Sequence, residues 1–237
     1  MTVTETPTRQ WSVAHATRML RAASAAPRWG VAQPWVLELR GHSVLIHESP
    51  KTDRHGTDRQ LSCGAVLTNV RLAIRTADHV VTARFPTDRD RSDLVAELIA
   101  GGTLPPNGTE ADQYAVIESG RRGRASDSAD VLDTVMSATW CPGVEVRPLV
   151  RGRGQQRGGD REFLVLTVDD GRLDRVMAGA VVQSVSLAAT AAGLVVHPPV
   201  NLHRLPEFRA GLIERSMLAG YPQVLLRVGA QMRWRVV

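Results

Sequence analysis

The sequence predicts an α+β fold built from two half-repeats in one chain, with a central pair of helices and antiparallel or mixed sheets. Segments with apolar residues at helical spacing alternate with short runs of strand type. In addition, two segments 115 residues apart align with each other. A length of 237 residues leaves one domain or two open. The predicted division is a polar lead over 1–11, a first half over 12–120 and a second half over 121–237, intertwined as one compact unit.

The first half shows helical spacing of apolar residues, alternating strand runs and glycine-containing turns. The capping rules place Thr109 as the N-cap of its last helix and Gly120 at that helix's end. The predicted elements are a helix from Ser12 to Ala26, a hairpin of Trp35 to Leu39 and Val44 to His47 around Arg40 to Ser43, a long helix from Asp58 to Ala77, strands Val80 to Phe85 and Leu94 to Ile99, a turn over Gly101 to Gly108, and the helix after Thr109.

The second half repeats this alternation of helices and strands. Its stretch from Arg151 to Gly159 has no apolar residue to bury, so it is interpreted as a loop. The predicted elements are a helix near Ala129 to Thr139, strands Val144 to Leu149 and Phe163 to Val168, a long helix from Arg172 to Ala192, a short helix near Pro206 to Met217 and a closing strand Val224 to Val228.

The internal repeat places 63–81 over 178–196, with nine identical positions that include Gly64 over Gly179. Each copy is a helix that leads into a Val-Val strand. Two alanine-rich helices could match through composition alone, but ordered identity favours duplication. Small residues on both copies permit close approach of the helix axes, which predicts that the two helices pack together.

Charge and composition exclude several classes of protein. The net charge of +5 suggests a nucleic-acid or anionic partner. Lys51 is the only lysine, however, and a GC-rich coding sequence, which favours arginine over lysine, explains most of the arginine excess. The Arg/Gly loop lacks the aromatic residues that stack on bases, so nucleic acid is not the expected partner. Cys63 and Cys141 have no metal-binding or disulfide spacing, which favours a reducing cytoplasm. No segment has the length of a membrane span.

Five motifs in order resemble the nitroreductase-like FMN-binding family, most closely its actinobacterial tandem subgroup, the Acg type. They cover nearly the whole chain, and their common order is more specific than any one of them. They are AASAAPRWGVAQPW from Ala22, SCGAVL from Ser62, RRGR from Arg121, AGAVVQSVSLAATAAGL from Ala178 and YPQVLLRVG from Tyr221.

The resemblance implies one FMN site between two nitroreductase halves of a pseudo-dimer. Arg121, Arg122 and Arg124 match the family's phosphate-binding segment, and Arg227 matches its C-terminal basic residue. Gly193, Leu194 and Val195 match the turn that holds the flavin ring. From the opposite half, Pro27, Gln33 and Trp35 match the remaining contacts. Guanidinium groups suit a phosphate because their paired donors fit its geometry.

Three positions depart from the family pattern: Arg28 replaces a Ser, Val31 an Asn, and Gly123 a Ser or Thr. Arg28 could offer a further phosphate contact. The chain is also shorter than the subgroup pattern between Leu149 and Phe163, where the subgroup has a lid. Structural alternatives stay open, namely a solvated turn for 121–124, an ion pair for Arg227, a strand entrance for 33–35 and a core position for Cys63.

The implied activity is FMN-dependent NAD(P)H oxidation with ping-pong hydride transfer to a small acceptor, such as a nitro-aromatic or a quinone. The flavin would carry the chemistry, so no catalytic side chain and no metal are expected. The alternative is a non-catalytic protein that stores FMN or binds another anionic ligand. The expected setting is the cytoplasm, with no membrane partner and with association of two pseudo-dimers as an option.

Overall fold

The computed structural model describes residues 11–30, 32–49, 56–86, 93–120, 123, 130–149, 160–216 and 218–229. These residues form a mixed α+β fold of helices and two antiparallel sheets. The helices are α1 (Val13–Ser24), α2 (Thr57–Arg75), α3 (Gly108–Ser119), α4 (Val131–Ser137), α5 (Arg172–Ala191) and α6 (Pro206–Ser216), with a short 3-10 helix at Leu202–Arg204. The strands are β1 (Trp35–Arg40), β2 (Ser43–Glu48), β3 (His79–Arg84), β4 (Leu94–Thr103), β5 (Val144–Pro148), β6 (Arg161–Thr167), β7 (Val195–Val196), β8 (Val200–Asn201) and β9 (Tyr221–Gly229).

The helices α2 and α5 pack against each other through most of the core, as the repeat predicts. Two glycines bring the helix backbones together. A Cβ on Gly64 would lie 2.0 Å from the carbonyl oxygen of Val176, and a Cβ on Gly179 would lie 2.1 Å from that of Leu61. Leu61 and Val176 correspond in the repeat, as the glycines do, so the two contacts are reciprocal. Only glycine fits either position, because no side chain can occupy so short a gap.

Polar side chains also join the two helices in the core. The Thr68 hydroxyl donates to the carbonyl oxygen of Ala180 at 2.8 Å, and the Gln183 amide donates to the Asn69 amide oxygen at 2.8 Å. Asn69 in turn donates to the Ala22 carbonyl of α1 at 2.9 Å. These bonds satisfy polar groups that would otherwise be costly to bury.

The two sheets have the same plan. One has the order β1-β2-β4-β3, and the other has the order β5-β6-β9-β7 with β8 paired to β9. In each sheet the first two strands are consecutive in the chain, β1-β2 and β5-β6. The next is the last long strand of that half, β4 or β9. The edge strand is the one that directly follows the central helix, β3 after α2 and β7 after α5. The register shifts between Ile46 and His47 where β2 meets β4, and between Val165 and Leu166 where β6 meets β9. These two shifts fall in matching strand pairs, whereas a third shift, between His79 and Val81 where β3 meets β4, has no counterpart in the second sheet.

Most predicted elements are confirmed, with three differences. The prediction that Thr109 caps α3 is wrong: Asn107 is the N-cap, because its side chain accepts from the Glu110 N–H while the Glu110 carboxylate accepts from the Asn107 N–H. Strand β4 continues to Thr103, into the segment predicted as a turn. The two-residue β8 and the 3-10 helix were not predicted. The lead 1–10, residue 129 and the Arg/Gly loop lie outside the described residues.

Candidate functional site

A cavity of about 520 Å³ lies between the segment that follows α1 and the segment that leads into the 3-10 helix. Its size falls within the range of small-molecule sites. Apolar and aromatic groups form most of its wall, with two guanidinium groups and one amide. The lining residues are Pro27, Arg28, Trp29, Pro198, Pro199, Val200, Asn201, Arg204 and Leu205. The two walls come from opposite halves of the chain.

The backbone of Trp29 is fixed on both sides. Its N–H donates to the Ser62 hydroxyl at 3.1 Å, and its carbonyl accepts from the Arg204 guanidinium at 3.0 Å. The next residue, Gly30, has φ of 79°, and a Cβ there would lie 3.0 Å from the same guanidinium. A glycine is therefore favoured both by the left-handed backbone and by the approach of Arg204.

Arg204 is held by a buried carboxylate on the first turn of α2. Its guanidinium lies 2.6 Å from an Asp58 oxygen, and the other oxygen of Asp58 accepts from the Asn201 amide at 2.7 Å. Asn201 also caps the 3-10 helix through the N–H of His203. These hydrogen bonds connect the 3-10 helix of the second half to α2 of the first. The Asp58 carboxylate therefore helps to position both walls of the cavity.

Arg28 differs from Arg204 in that its side chain is uncommitted. The residue is exposed at the cavity, and within the described part of the chain its side chain has no hydrogen bond or ion pair. A guanidinium group offers five N–H donors and stays charged at any physiological pH. Arg28 is therefore available to bind an anionic group of a ligand in the cavity.

The turn predicted to hold a flavin ring follows α5 directly. Gly193 has φ of 80°, and the N–H of Leu194 donates back to Ala189, which closes the helix. Val195 then pairs with Gly229 on β9. Leu194 is buried, whereas Val195 is half-buried. The chain runs from this turn through His197 to Pro198 at the cavity.

Arg227 is paired with the carboxylate of Asp160, the residue just before the neighbouring strand β6. Its guanidinium lies 2.8 Å from Asp160, and His197 lies 3.2 Å from the same oxygen. The backbone places Arg227 beside the ring turn, because the N–H of His197 donates to the Arg227 carbonyl at 3.0 Å. The ion pair that the sequence left open is thus present, and a phosphate would have to compete with Asp160.

Of the basic segment 121–124, only Gly123 is described; Arg121, Arg122 and Arg124 lie outside the described residues. The N–H of Gly123 donates to the Thr190 carbonyl at 2.9 Å. A Cβ at this position would lie 1.8 Å from the carbonyl oxygen of Ala191. This contact explains a glycine where the resembled family has Ser or Thr, and Gly123 itself lies at the end of α5, close to Gly193.

Gln33 and Trp35 do not line the cavity. Gln33 is exposed, and its amide donates to the Trp35 carbonyl at 3.4 Å. Trp35 is 6% exposed and packs in the main core. Cys63 is fully buried, and burial raises the pKa of its thiol to about 12, so its predicted core position is confirmed.

Sequence reasoning missed Asp58, Asn201 and Arg204. Asp58 and Arg204 are separated by 146 positions, so no local spacing indicates that they form a pair. The consecutive prolines Pro198 and Pro199 are the one local signal, because they restrict the chain to an extended path after the ring turn.

Among the described residues, no group of three histidine, cysteine or carboxylate side chains could hold a metal ion. No helix in this part of the chain is long and apolar enough to cross a membrane. Comparison with known proteins gives no relative: no protein-family model matches the chain, and no curated protein matches it.

Proposed function

We propose that the protein is an FMN-dependent NAD(P)H oxidoreductase of the nitroreductase type, with its cofactor held between the two halves. One observation carries the proposal. Pro27 and Arg28, predicted from the first half, share a cavity with the segment that follows the Gly193 turn of the second half. Gly123, the described residue of the predicted phosphate-binding segment, additionally donates its N–H to Thr190 near the same helix end.

The arrangement of the halves supports a pseudo-dimer with a nitroreductase-like fold. The two sheets share their strand order, and each has a register shift in its second strand pair, β2 with β4 and β6 with β9. The reciprocal contacts of Gly64 and Gly179 relate the central helices in the same way. A binding site between the halves then corresponds to the subunit interface at which the resembled family binds its cofactor.

The residues present fit FMN in their chemistry. Trp29 and the two prolines offer flat apolar surface for a ring system, and Arg28 offers an uncommitted guanidinium for an anionic group. The phosphate would be held by Arg121, Arg122 and Arg124, with Arg227 exchanging its partner Asp160. Of the ring turn Gly193, Leu194 and Val195, the N–H groups of Gly193 and Leu194 already donate to Thr190 and Ala189, so these two groups would have to exchange partners to bind the ring.

When bound, FMN would supply the hydride-transfer chemistry, which is oxidation of NAD(P)H and reduction of a nitro-aromatic or quinone acceptor. The chain's own residues would bind the cofactor and the substrates, orient them and exclude water from the site. Cys63 takes no part as a nucleophile, because a buried thiol with a pKa of about 12 stays protonated. Arg204 and Asp58 keep the walls of the cavity in place.

The test is the colour of the purified protein and its response to nicotinamide. We expect flavin absorbance that is bleached anaerobically by NADH or NADPH and restored by an acceptor. Colourless protein that ignores added FMN would overturn the proposal. Colour without bleaching would favour the storage alternative, for which the supporting observation is that Arg28 and Val31 stand where the resembled family has Ser and Asn.

Variants assign the phosphate contacts. We expect Arg28→Ala and the double variant Arg121→Ala/Arg122→Ala each to weaken FMN binding by about tenfold or more, because each removes charge-assisted hydrogen bonds. Arg84→Ala is the matched control, since Arg84 is exposed on β3 away from the cavity. Undiminished affinity in the double variant would refute the phosphate assignment for 121–122.

A further inference from the structure

A second cavity of about 430 Å³ lies between α3, α4 and α5, and of the described residues none lines both this cavity and the one described above. Arg71 of α2 and Trp140, which follows α4, form one part of its wall. Both side chains carry N–H donors and no acceptor. Another part of the wall is apolar and consists of alanines at the ends of α4 and α5, namely Ala138, Ala188, Ala191 and Ala192.

The indole N–H of Trp140 is the first observation that points to a ligand. Its Nε1 is buried, and within the described part of the chain it has no hydrogen-bond partner. Most buried polar groups in folded proteins are hydrogen-bonded, because an unmade bond leaves the cost of desolvation uncompensated. Since an indole N–H can only donate, the group that would satisfy it is an acceptor, such as an oxygen atom.

The guanidinium of Arg71 is the second observation. It stacks 4.8 Å from the Trp140 ring centre, and its one hydrogen bond to a described residue runs to the Glu110 carboxylate at 3.3 Å. Arg75, by contrast, donates to both oxygens of Glu110 and to three backbone carbonyls. A guanidinium has five N–H donors, so most of those of Arg71 are available to a ligand.

The charge around Arg71 favours an anion. Arg71 and Arg75 share the single carboxylate of Glu110, so this cluster keeps one positive charge. Burial lowers the pKa of Arg71 more than the charge of Glu110 raises it. Asp112 and Asp133 also line the cavity, but they are exposed, and neither is among the described charges that shift this pKa. The positive charge is therefore the one that acts at the Arg71 wall.

We propose that the cavity between α3, α4 and α5 binds a small monocarboxylate with a compact apolar body. The carboxylate accepts from the Arg71 guanidinium and from the Trp140 indole N–H, and the body covers the alanines of α4 and α5. A carboxylate suits this pair of donors because it has two oxygens, each able to accept a charge-assisted hydrogen bond. The site does not depend on a flavin, so its failure would leave the proposed function intact.

The experiment is calorimetric titration of the full chain with three probes that share a phenylalkyl body. 3-Phenylpropionate carries the carboxylate, 3-phenylpropionamide is its neutral counterpart and 3-phenylpropylammonium is a cation. We expect saturable binding of the carboxylate, binding of the amide that is weaker by about tenfold or more, and no binding of the amine. Absence of carboxylate binding, equal binding of the amide, or binding of the amine would overturn the proposal.

Two variants remove the donors one at a time. Trp140→Phe keeps an aromatic ring beside Arg71 but lacks the indole N–H, and Arg71→Gln removes the charge. Each is expected to weaken binding of 3-phenylpropionate by about fivefold or more, with circular dichroism to verify that the variant is folded. In a heteronuclear NMR spectrum, the indole signal that Trp140→Phe lacks should shift when the carboxylate is added to the wild type. Unchanged affinity in either folded variant would refute the site.

Arg28→Ala is the matched control, because Arg28 is the uncommitted guanidinium of the first cavity. This variant should bind 3-phenylpropionate with the affinity of the wild type. Loss of binding in Arg28→Ala would place the carboxylate in the first cavity and overturn the proposal.

Discussion

The environment of His203 sets one pH dependence at the residue scale. The ring is 14% exposed, and its Nε2 lies 2.6 Å from the Gln223 amide oxygen. Burial lowers the pKa of His203 below its ordinary value of 6.5, and the positive charge of Arg209 acts in the same direction. The hydrogen bond with Gln223 and the charge of Asp170, at 3.5 Å, act to raise the pKa but offset this only in part. The folded state therefore favours the neutral ring.

The sign of the effect on stability follows from linkage. As pH falls below 6.5, the unfolded chain binds the proton before the folded chain does, so the free energy of unfolding decreases until the folded pKa is reached. Above 6.5 both states are neutral and this contribution is complete. The pKa of Asp170 is lowered from 3.8, so its own contribution is lost only in a more acidic range.

We expect urea unfolding between about pH 7.5 and 5 to show this decrease, and His203→Gln to remove part of it. His42→Gln is the control, because His42 is exposed on the hairpin turn. The readout is the difference in slope against pH, which a uniform loss of stability in the variant does not alter. Equal slopes for the wild type and His203→Gln would contradict the assignment.

Single residues were predictable where a local rule applied and not where a distant partner decides. The burial of Cys63 follows from its apolar helix, and the αL end of α3 at Gly120 follows from capping chemistry. The pairing of Arg204 with Asp58 depends on the docking of two halves, which no spacing in the sequence records. Candidate site residues were therefore located in part: Pro27 and Arg28 reach the cavity, whereas Trp35 completes the core.

At the scale of elements, the start of α3 shows how two capping signals compete. Asn107 and Thr109 are both of N-cap type. Glu110 decides between them, because it lies three residues after Asn107 and returns a hydrogen bond to that residue's N–H. Glu110 also binds Arg75, so the capping box is anchored to α2. Although burial acts to raise it, these hydrogen bonds hold the pKa of Glu110 below its ordinary value.

Substitution at the two positions distinguishes them. We expect Asn107→Ala to lower the free energy of unfolding by about 0.5–2 kcal/mol, because the Glu110 N–H loses its acceptor. Thr109→Ala is expected to change it by less than about 0.5 kcal/mol, as is usual at an exposed position. Chemical denaturation of both variants measures the difference. A larger loss in Thr109→Ala would restore the capping role to that residue.

Of the short elements, β7 was predicted only through the Val-Val exit of the repeat, whereas β8 and the 3-10 helix could not be predicted because they have no pattern of their own. Strands β7 and β8 are two residues long, and they exist as strands through pairing with β9. Two residues are too few to show alternation. The long helices and the hairpin, by contrast, carry enough periodic positions to be predicted with nearly their observed bounds.

At the scale of the whole molecule, the repeat in the sequence anticipates the packing of α2 against α5. Identical small residues at corresponding positions become a shared interface, in which each glycine accommodates the other helix's backbone. Both sheets pack against this pair and contribute to the same core cluster. Among the described residues, the main core cluster draws on both halves, because each central helix is covered by the other half, while a smaller cluster around Leu164, Leu166 and Leu202 lies within the second half.

We therefore expect the chain to unfold in one transition, with coincident curves from far-ultraviolet circular dichroism and tryptophan fluorescence.

We expect Gly179→Ala to lower the free energy of unfolding by about 1–3 kcal/mol, because the new Cβ collides with the Leu61 backbone. This loss exceeds the gain of about 1 kcal/mol that alanine has over glycine in helix propensity. Gly108→Ala is the control: its Cβ would meet nothing within 4 Å, so the change should be neutral or slightly stabilising. If the two probes separate, or if Gly179→Ala affects only one of two transitions, the halves fold independently and the shared core is wrong.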